Sequence, residues 1–397
     1  MDRNFMVSIE QAMQLVDEYT STGTKTITTL QLARNQYLAD SVSSPIHMPP
    51  FHQSAMDGYA VHFNQDHQNN FVLIDEIKAG DAKNPSLEPG EAVRIFTGAP
   101  VPNNTNAVIM QENCNVQNNI LIIEDQLTPN KNIRKQGEQI QKGATALEKG
   151  ALLNPAAIGF LATLGITEVA VYKMPKICIV VTGNELVSPG TPLKHGQIYE
   201  SNAIMLQTAL AEKGFTDVAI LKVKDDYTAT KDSLKNALEN CNFLLISGGI
   251  SVGDYDFVGK ALLELNTEQV FYKIKQKPGK PMFFGINQQT LIFALPGNPA
   301  SALTCFYIYI DAALQKHIGN PNHQKQTVTA NLKNDYDKKG IRGEFLKATL
   351  HQNQVEILPN QSSAMLNSYA KANALIYLEE GVQIYNKGTK VTVFPIA

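Results

Sequence analysis

The sequence predicts a multidomain α/β protein in which a three-layer α/β domain lies between a helical region with a β-rich block and a small C-terminal β domain. The 397 residues exceed what a single hydrophobic core usually accommodates. From Lys176 onward, apolar strands alternate with helices, which is typical of a parallel sheet with crossover helices. Residues 322–397 return to short alternating strands, the pattern of a small barrel or sandwich.

The composition is that of an ordinary globular protein, with 43% apolar residues, 18% charged residues and a net charge of −3. A nucleic-acid surface needs a basic face, and a membrane span needs about 18 consecutive apolar residues. Because neither is present, we expect no nucleic-acid partner and no membrane insertion. The four cysteines are scattered without a CxxC pair and the N-terminus has no signal-peptide core, so a reducing, cytoplasmic compartment is the simplest interpretation.

The N-terminal region predicts helices on either side of the β-rich block. An amphipathic helix near the start is expected to begin at a capping box of Ser8 and Gln11. Alternating strands follow, and a later helix has Pro155 in its first turn. If this helix packs against the first one, the β block is an insertion in a helical domain. The expected domains are then residues 1–45 with 131–172, the inserted 46–130, the α/β domain 173–321 and the C-terminal 322–397.

The α/β region carries the usual signals for helix boundaries. One crossover helix is expected to start with Ser201 as its N-cap and to end at Gly214, and the last helix is expected to start with Asn298 as its N-cap. In open α/β sheets, ligands bind beyond the carboxyl ends of the strands. The loops that follow these strands are therefore the candidate binding site.

Three glycine-bearing loops follow strands of this sheet: TGNEL (182–186), SGGISVGDYD (247–256) and LPGNPAS (295–301). Each opens toward a helix, where free backbone N–H groups and the helix dipole favour an anion, and glycine lets the backbone approach a ligand closely. One such loop alone is more often a tight turn, but three at one sheet edge predict a ligand with several anionic groups. The candidate substrate-binding residues are Thr182, Gly183, Ser247, Gly248, Gly249, Ser251, Gly253, Pro296, Gly297, Asn298, Pro299 and Ser301.

The second loop does not match a familiar catalytic motif. Gly248 and Gly253 have the glycine spacing of a P-loop, but Asp254 and Tyr255 stand where a P-loop has Lys and Ser or Thr. No GxGxxG follows a strand, which disfavours a dinucleotide site. Ser251 is not interpreted as a hydrolase nucleophile, because no histidine is clearly paired with it.

The stretch YKIKQKPGKPMFF supplies positive charge. In an alternating strand, Lys273, Lys275 and Lys277 point to one face, and the Lys-Pro-Gly-Lys-Pro turn holds Lys277 and Lys280 rigidly. A run of charges is usually a solvated strand face. The rigid turn instead favours Lys277 and Lys280 as compact charges that neutralise phosphate oxygens.

Carboxylates also gather at these loops. Mg²⁺ takes one or two carboxylates together with phosphate oxygens, so a phosphate site with acids beside it fits Mg²⁺. Any one of these acids can equally be the N-cap of a helix. The carboxylates are Asp57, Glu185, Asp225, Asp226, Asp254 and Asp256.

Four of the eight histidines are close in sequence: His47, His52, His62 and His67. A zinc site needs tetrahedral nitrogen and sulfur ligands, but the spacing matches no familiar pattern and no cysteine is near. Histidines in surface loops are the favoured interpretation.

Taken together, the motifs resemble one family. SAMDGYA, RIFTGAPVP, NIRKQGE, VTGNEL, SGGISVGDYD, KPGKP and LPGNPASAL occur in the order found in the bacterial MoeA family of molybdopterin molybdenumtransferases, whose animal relative is the gephyrin E-domain. The resemblance covers essentially the whole chain. It implies an elongated, discontinuous helical domain that receives the β insertion, a molybdopterin-binding α/β domain and a C-terminal β domain.

The resemblance also implies a reaction: molybdate is inserted into the dithiolene of adenylylated molybdopterin, AMP leaves, and Mg²⁺ is required. Glu185 and Asp256 would hold the metal, while Lys277 and Lys280 would neutralise phosphate or molybdate. The resemblance further implies a homodimer in which each active site is shared between two subunits. Molybdopterin adenylyltransferase and recipient molybdoenzymes or their chaperones are further partners that it suggests.

From the opposite subunit, Asp57 and Thr97 would complete the catalytic set with Glu185 and Asp256, and the Thr97 hydroxyl would donate to an oxyanion. Ser368 matches a family serine near the site. One departure concerns Gln139, which stands where bacterial relatives often have Asp. An amide cannot serve as an ionised metal ligand, so either Glu138 takes that role or the acid is dispensable.

Two alternatives stay open on the sequence alone. The first is the adenylyltransferase that makes the substrate, because its single α/β domain and SGG loop resemble residues 176–320. The second is a non-catalytic scaffold of the gephyrin E-domain type. Molybdate and tungstate are both tetrahedral dianions of similar size, so the predicted anion site fits either one.

Overall fold

The computed structural model describes residues 6–64, 69–250 and 257–396. The chain forms two compact units, the inserted unit (Ile27–Ala170) and the main unit (Met1–Thr26 with Val171–Ala397). In the part of the chain that the structure describes, no helix has the length and apolar character needed to cross a membrane.

Within the described residues, the helices are α1 (Ile9–Tyr19), α2 (Pro155–Thr163), α3 (Asn202–Glu212), α4 (Tyr227–Asn240), α5 (Phe257–Glu264), α6 (Pro299–Cys305) and α7 (Asp311–His317), with 3-10 turns at Gln111–Asn113 and Tyr369–Lys371 and a π-helix at Phe306–Ile310. The strands up to the first glycine loop are β1 (Lys25–Thr29), β2 (Val42–Ser43), β3 (Gln53–Ser54), β4 (Gly58–Val61), β5 (Asn70–Ile77), β6 (Glu91–Ile95), β7 (Ala107–Met110), β8 (Cys114–Gln117), β9 (Ile120–Ile123), β10 (Ile133–Arg134), β11 (Thr145–Leu147), β12 (Glu168–Tyr172) and β13 (Ile177–Thr182). The later strands are β14 (Leu186–Val187), β15 (Ile198–Tyr199), β16 (Val218–Val223), β17 (Phe243–Ser247), β18 (Glu268–Lys273), β19 (Gln276–Lys277), β20 (Pro281–Asn287), β21 (Thr290–Leu295), β22 (Val328–Leu332), β23 (Tyr336–Lys338), β24 (Gly343–His351), β25 (Gln354–Ile357), β26 (Ala374–Leu378), β27 (Gln383–Tyr385) and β28 (Lys390–Pro395).

The inserted unit is built around a six-stranded sheet in the order β7-β4-β6-β5-β9-β8. Along the central strand β4, Tyr59 and Val61 join one hydrophobic cluster and Ala60 joins another, so both faces of the sheet are buried. The β-rich character expected for this stretch is confirmed. Helix α2 begins as predicted, because Asn154 accepts the Ala157 N–H at 2.8 Å and Pro155 occupies the first turn.

The first helix of the main unit also starts as predicted. Ser8 and Gln11 form both hydrogen bonds of the capping box. The buried face of α1 includes Ile9 and Val16, and the helix packs against α7 and the π-helix. Helices α1 and α2 thus belong to different compact units, and the division into four domains stays a prediction.

The central sheet has the order β16-β13-β17-β21-β20-β18. Strands β16, β13, β17 and β21 are parallel, as the alternation of strands and helices predicts, and β20 and β18 are antiparallel to their neighbours. The antiparallel pairs arise because neither connection contains a crossover helix: β20 and β21 are joined by a tight turn with Gln288 at a positive φ of 53°, and β18 and β20 by the segment 274–280. Helices α4 and α5 cover one face of the sheet, and α3 and α6 contact β13 and β21, which confirms the three layers.

Two helix starts differ in detail from the prediction. Ser201 occupies the N-cap position of α3 but makes no capping bond, because the Glu200 carboxylate accepts the Ala203 N–H at 2.8 Å instead. Gly214 follows α3 at a φ of 90°, as predicted for a helix C-terminus. Asn298 precedes α6 without a side-chain capping bond. The last helix of the domain runs without a break through α6, the π-helix and α7, because the junction residues Phe306 and Asp311 keep right-handed helical backbone angles.

The C-terminal strands form a small barrel. Strands β24, β25, β22, β28 and β26 pair in that order, and β26 pairs with β24 to close the barrel. Its interior is a hydrophobic cluster that includes Leu346, Ile376 and Val393. The short strand β19 adds to this sheet by pairing with β24, so the chain segment that follows β18, an edge strand of the central sheet, becomes part of the barrel edge.

Candidate functional site

The carboxyl ends of β13, β17 and β21 open into a cavity of about 730 Å³. All three glycine loops contribute to its lining, so the loops that the sequence singles out meet in space. Their individual roles in binding stay predictions. The predicted residues that line the cavity are Thr182, Gly183, Glu185, Ser247, Gly248, Gly249, Pro296, Gly297, Asn298 and Pro299.

Three predicted residues belong to the later part of the SGGISVGDYD loop. Ser251, Gly253 and Asp256 lie outside the described residues. Their predicted roles in substrate and metal binding therefore stay predictions.

The glycines of the second loop are required by its backbone. Gly248 has a φ of 93°, and a Cβ at this position would lie 2.7 Å from the Thr182 carbonyl oxygen. Gly249 has a φ of 69°, and its Cβ would lie 2.6 Å from the Val258 side chain. Positions 248 and 249 are thus too close to β13 and α5 to hold any larger residue.

We expect Gly248→Ala to lower the free energy of unfolding by about 1–3 kcal/mol, because it combines a left-handed backbone with a backbone clash. Gly297→Ala is the matched control, since among the described residues no atom beyond its chain neighbours lies within 4 Å of its would-be Cβ, and it should change the free energy by less than about 0.5 kcal/mol. Urea denaturation followed by circular dichroism measures both. Equal effects of the two substitutions would contradict this account of the loop.

Asn202, at the start of α3, joins two of the glycine loops and was missed by the sequence reasoning. Its side-chain amide donates to Ser247 Oγ at 2.7 Å and to the Gly297 carbonyl oxygen at 2.8 Å. The residue is buried, lines the cavity and thereby fixes the second and third loops relative to each other. The available signal was an amide directly after the predicted N-cap Ser201, which a capping argument does not use.

Two carboxylates of the predicted set lie at the cavity. Glu185 is folded over Gly183, because a Cβ on that glycine would lie 2.9 Å from both carboxylate oxygens. Asp225 is held by reciprocal bonds with Asn184, in which each backbone N–H donates to the other's side chain at 3.1 Å. Asp226 instead caps α4 by accepting the Ala229 N–H at 2.8 Å.

The lysine-rich stretch is not one alternating strand, which corrects the expectation that Lys273, Lys275 and Lys277 share a face. Strand β18 ends at Lys273, and Lys277 belongs to β19 on the barrel edge. The Lys277 ammonium lies 3.0 Å from Glu344 Oε1, and the Glu344 side chain is only 1% exposed. Lys280 is exposed and directly precedes Pro281, which lines the cavity.

The turn that carries these lysines is fixed by Gln276. This side chain is fully buried, donates to the Pro278 carbonyl oxygen at 2.9 Å and accepts the Tyr309 hydroxyl at 2.5 Å. The Lys277–Pro278 peptide bond is cis. The rigidity that the sequence predicts for the turn is thus supported by contacts to the last helical segment.

Asp57 and Thr97 form a local pair in the inserted unit. The backbone N–H and the hydroxyl of Thr97 both donate to Asp57 Oδ1 at 2.7 Å. These two bonds, the backbone one first, lower the pKa of Asp57 below its ordinary value. The Thr97 hydroxyl was expected to donate to an oxyanion, but here its proton is directed to Asp57.

Two predicted serines lie behind the cavity lining. Ser301 is buried within α6, and the Ser368 hydroxyl donates to the Asn360 carbonyl oxygen at 2.9 Å. Neither belongs to the residues that line the cavity, whereas Ala364 does. The segment around Ser368 thus reaches the site through a different residue.

The histidines that are close in sequence bond to backbone groups wherever the structure describes them. His47 and His52 accept backbone N–H groups at 3.2 Å, and His62 Nδ1 lies 2.8 Å from the Leu87 carbonyl oxygen. His67 lies outside the described residues. Across residues 6–64, 69–250 and 257–396, no group of three or more His, Cys, Asp or Glu side chains is placed to hold a metal.

The structure also describes the turn around Gln139, the residue that stands where bacterial relatives often have Asp. Glu138 accepts the Lys135 N–H at 2.8 Å, and Gln139 is exposed with its backbone N–H on the Met48 carbonyl oxygen at 3.0 Å. The Glu138 carboxylate therefore stabilises its own turn.

Three family models match the chain in succession. The MoeA N-terminal region (domain I and II) matches residues 7–165, the probable molybdopterin binding domain matches residues 178–316, and the MoeA C-terminal region (domain IV) matches residues 329–396. The matches follow the order of the elements described above.

Curated proteins and solved structures resemble the chain over its whole length. Molybdopterin molybdenumtransferase of Haemophilus influenzae is 36% identical over 98% of both chains. Molybdopterin molybdenumtransferase 2 of Mycobacterium tuberculosis is 34% identical, over 98% of this chain and 100% of its own. The crystal structure of the molybdopterin biosynthesis MoeA protein of Pyrococcus horikosii has a TM-score of 0.86 at 28% identity and covers 99% of this chain and 100% of that one.

Proposed function

Because the chain belongs to the MoeA family of molybdopterin molybdenumtransferases, we propose that it inserts molybdate into adenylylated molybdopterin and releases AMP in a Mg²⁺-dependent reaction. The observation that carries this proposal is the meeting of three glycine loops around one cavity of about 730 Å³. The proposed substrate has a pyrophosphate, a dithiolene and a pterin, and molybdate is a dianion. A cavity bordered by glycine loops at strand ends fits a ligand with several anionic groups.

In this proposal each group of cavity residues has a role that follows from its chemistry. The backbone N–H groups of the loops bind phosphate oxygens or the pterin edge, and Asn202 keeps two of the loops in register. Lys280 neutralises the charge that develops on phosphate when the pyrophosphate bond breaks and AMP leaves. The backbone N–H groups and Lys280 stabilise negative charge without transferring a proton.

The acids at the cavity fit a Mg²⁺ site. Mg²⁺ prefers oxygen ligands and is usually bound by one or two carboxylates together with substrate phosphates. Glu185 and Asp225 both present carboxylates to the cavity lining, and Asp256 is the further proposed ligand. When bound there, Mg²⁺ would neutralise part of the pyrophosphate charge.

The direct test is release of AMP from adenylylated molybdopterin by the purified chain. We expect AMP only when both molybdate and Mg²⁺ are present, and a chelator should stop its release. AMP is measured by chromatography, and the product is measured by reconstitution of a molybdoenzyme. Failure to release AMP under any of these conditions would overturn the proposal.

The adenylyltransferase alternative predicts a different activity. A chain of that kind would convert ATP and unadenylylated molybdopterin into the adenylylated form. The three consecutive family matches, which extend well beyond the α/β domain, favour the insertion reaction. A pure scaffold would show neither activity and would have to be identified by capture of a partner.

We further propose that the chain acts as a homodimer with shared active sites, in which Asp57 and Thr97 of one subunit complete the cavity of the other. The family membership supports this arrangement. The four cysteines are free, which fits a reducing compartment such as the cytoplasm, where an adenylyltransferase and recipient molybdoenzymes or their chaperones would be its partners.

A further inference from the structure

The barrel contributes a segment to the wall of the cavity. Residues 360–365 form a loop, and one of its residues, Ala364, lines the cavity. The same loop bonds twice to the third glycine loop and α6: Asn298 Nδ2 donates to Ser363 Oγ at 2.9 Å, and the Ala300 N–H donates to the Ser363 carbonyl oxygen at 3.0 Å. The second bond satisfies a backbone N–H at the start of α6, where Asn298 itself makes no capping bond.

This loop is organised around Lys347 of β24. The Lys347 side chain is buried, with the residue only 3% exposed. Its ammonium donates to the carbonyl oxygens of Asn360, Ser362 and Met365, at 2.7, 3.3 and 3.0 Å. Three N–H donors are thus matched by three carbonyl oxygens of one short loop, and none remains for a carboxylate.

The backbone of Lys347 is tied to the same loop. The side-chain amide of Gln361 accepts the Lys347 N–H at 2.9 Å and donates to the Lys347 carbonyl oxygen at 2.8 Å. Through the Gln361 side chain, the loop therefore makes the two hydrogen bonds to β24 that a neighbouring strand would make with its backbone.

A buried ammonium is unfavourable unless its donors are satisfied, and burial accordingly lowers the pKa of Lys347. The converse also holds, because three carbonyl groups that point at one position repel each other when no cation separates them. Lys347 and the fold of the loop thus depend on each other. None of the roles derived above for the cavity uses this lysine.

We propose that Lys347 is a positioning residue: through the loop 360–365 it holds the third glycine loop in place and so sets the geometry of the binding cavity. The barrel is then a structural part of the site, although it supplies few atoms to its lining. The part of this proposal that concerns ligand binding rests on the proposed function, whereas the part that concerns the loop does not.

The test uses Lys347→Met in the full chain, because methionine keeps most of the length and the apolar stem but removes the charge and the three donors. We expect amide exchange at Ala300 to become at least about tenfold faster, since its acceptor Ser363 is released. We also expect KM for adenylylated molybdopterin to rise about 5- to 20-fold, with kcat changed by less than about threefold, because Lys347 touches no reacting atom.

Lys333→Met is the matched control. Lys333 lies on the same barrel and pairs with Glu356 at 2.6 Å, but both side chains are substantially exposed. We expect neither Ala300 exchange nor KM to change in this variant. If Lys347→Met does not fold, Ser363→Ala replaces it, since it removes only the hydroxyl that accepts from Asn298 and should raise KM about 2- to 5-fold.

Two results would overturn the proposal. The first is unchanged exchange at Ala300 in a folded Lys347→Met variant, and the second is faster exchange at Ala300 with KM unaltered. If the wild-type chain releases no AMP at all, the proposed function fails, and exchange at Ala300 then decides alone whether Lys347 positions the loop.

Discussion

Replacing Lys280 by alanine is expected to slow AMP release about 10- to 150-fold, because a charge-assisted contact of this kind contributes about 1.5–3 kcal/mol. Lys280 is exposed, and its ammonium forms no ion pair with any residue that the structure describes. It is directly followed by Pro281 in the cavity lining. Its charge is therefore available to a ligand. Single-turnover AMP release at saturating Mg²⁺ and molybdate measures the effect.

Lys277→Ala is the matched comparison within the same turn. Its ammonium already pairs with Glu344, and removing it leaves a carboxylate that is 1% exposed and keeps the Tyr336 hydroxyl as a hydrogen-bond donor. Because Lys277 itself is 55% exposed, we expect a moderate loss of about 1–2 kcal/mol in the free energy of unfolding. AMP release should slow less than in Lys280→Ala. An equal or larger loss of turnover in Lys277→Ala would show that both lysines act on the ligand.

The difference between these two lysines shows what the sequence could and could not predict. The turn itself was predictable, because Pro278 and Pro281 restrict the backbone locally and Gly279 allows a positive φ between them. The same holds for the capping box at Ser8 and for the loops at the ends of β13, β17 and β21, since each depends on residues within a few positions of one another. Local stereochemistry and the rule that ligands bind at the carboxyl ends of parallel strands were sufficient.

The contacts that give these side chains their different roles are long-range, and the sequence does not predict them. Lys277 pairs with Glu344, which is 67 positions away, and Asn202 bonds across to Gly297, which is 95 positions away. No spacing rule indicates such pairs, because they depend on how the barrel edge and the sheet pack. The same reason explains Lys347, which in the sequence is one lysine in a strand and in the structure is the centre of a loop. Neither the glycines nor the charge runs of the sequence therefore indicate a barrel residue such as Lys347.

Replacing Asp57 by asparagine is expected to lower turnover about 10²- to 10⁴-fold, the range usual for losing a catalytic charge or proton-transfer group. Both bonds from Thr97 end on the single oxygen Oδ1, and the asparagine carbonyl can accept them in the same place. The substitution therefore removes the charge and keeps the turn. Because Asp57 is exposed and both bonds keep an acceptor, we expect the free energy of unfolding to fall only slightly, through loss of the charge that strengthens the bonds.

Asp57→Ala separates the structural from the chemical role. Alanine removes the acceptor of both Thr97 bonds, so this variant should lose turnover and also destabilise the turn of the inserted unit. If asparagine retains full turnover while alanine does not, Asp57 serves only as a turn acceptor. Thermal unfolding and AMP release, measured on the same preparations, distinguish the two outcomes.

The pH dependence follows from the direction of the Asp57 pKa. The pKa is lowered in the folded chain by the two Thr97 bonds, so the folded state favours the carboxylate. The stability contributed by this pair is fully present above the ordinary Asp pKa of about 3.9 and is lost as the pH falls through the lower folded value. An acid limb in the rate profile above about pH 5 must therefore come from another group, and it should persist in Asp57→Asn.

The Asp57 prediction also tests whether the site is shared between subunits. If Asp57 of one subunit acts at the cavity of the other, a mixture of Asp57→Asn and Lys280→Ala chains forms heterodimers in which one site carries both substitutions and the other carries neither. After random exchange, half of the dimers are of this kind, so about a quarter of all sites are intact and turnover should recover to about a quarter of wild type. If Asp57 instead acts within its own chain, every site keeps one substitution and mixing restores nothing.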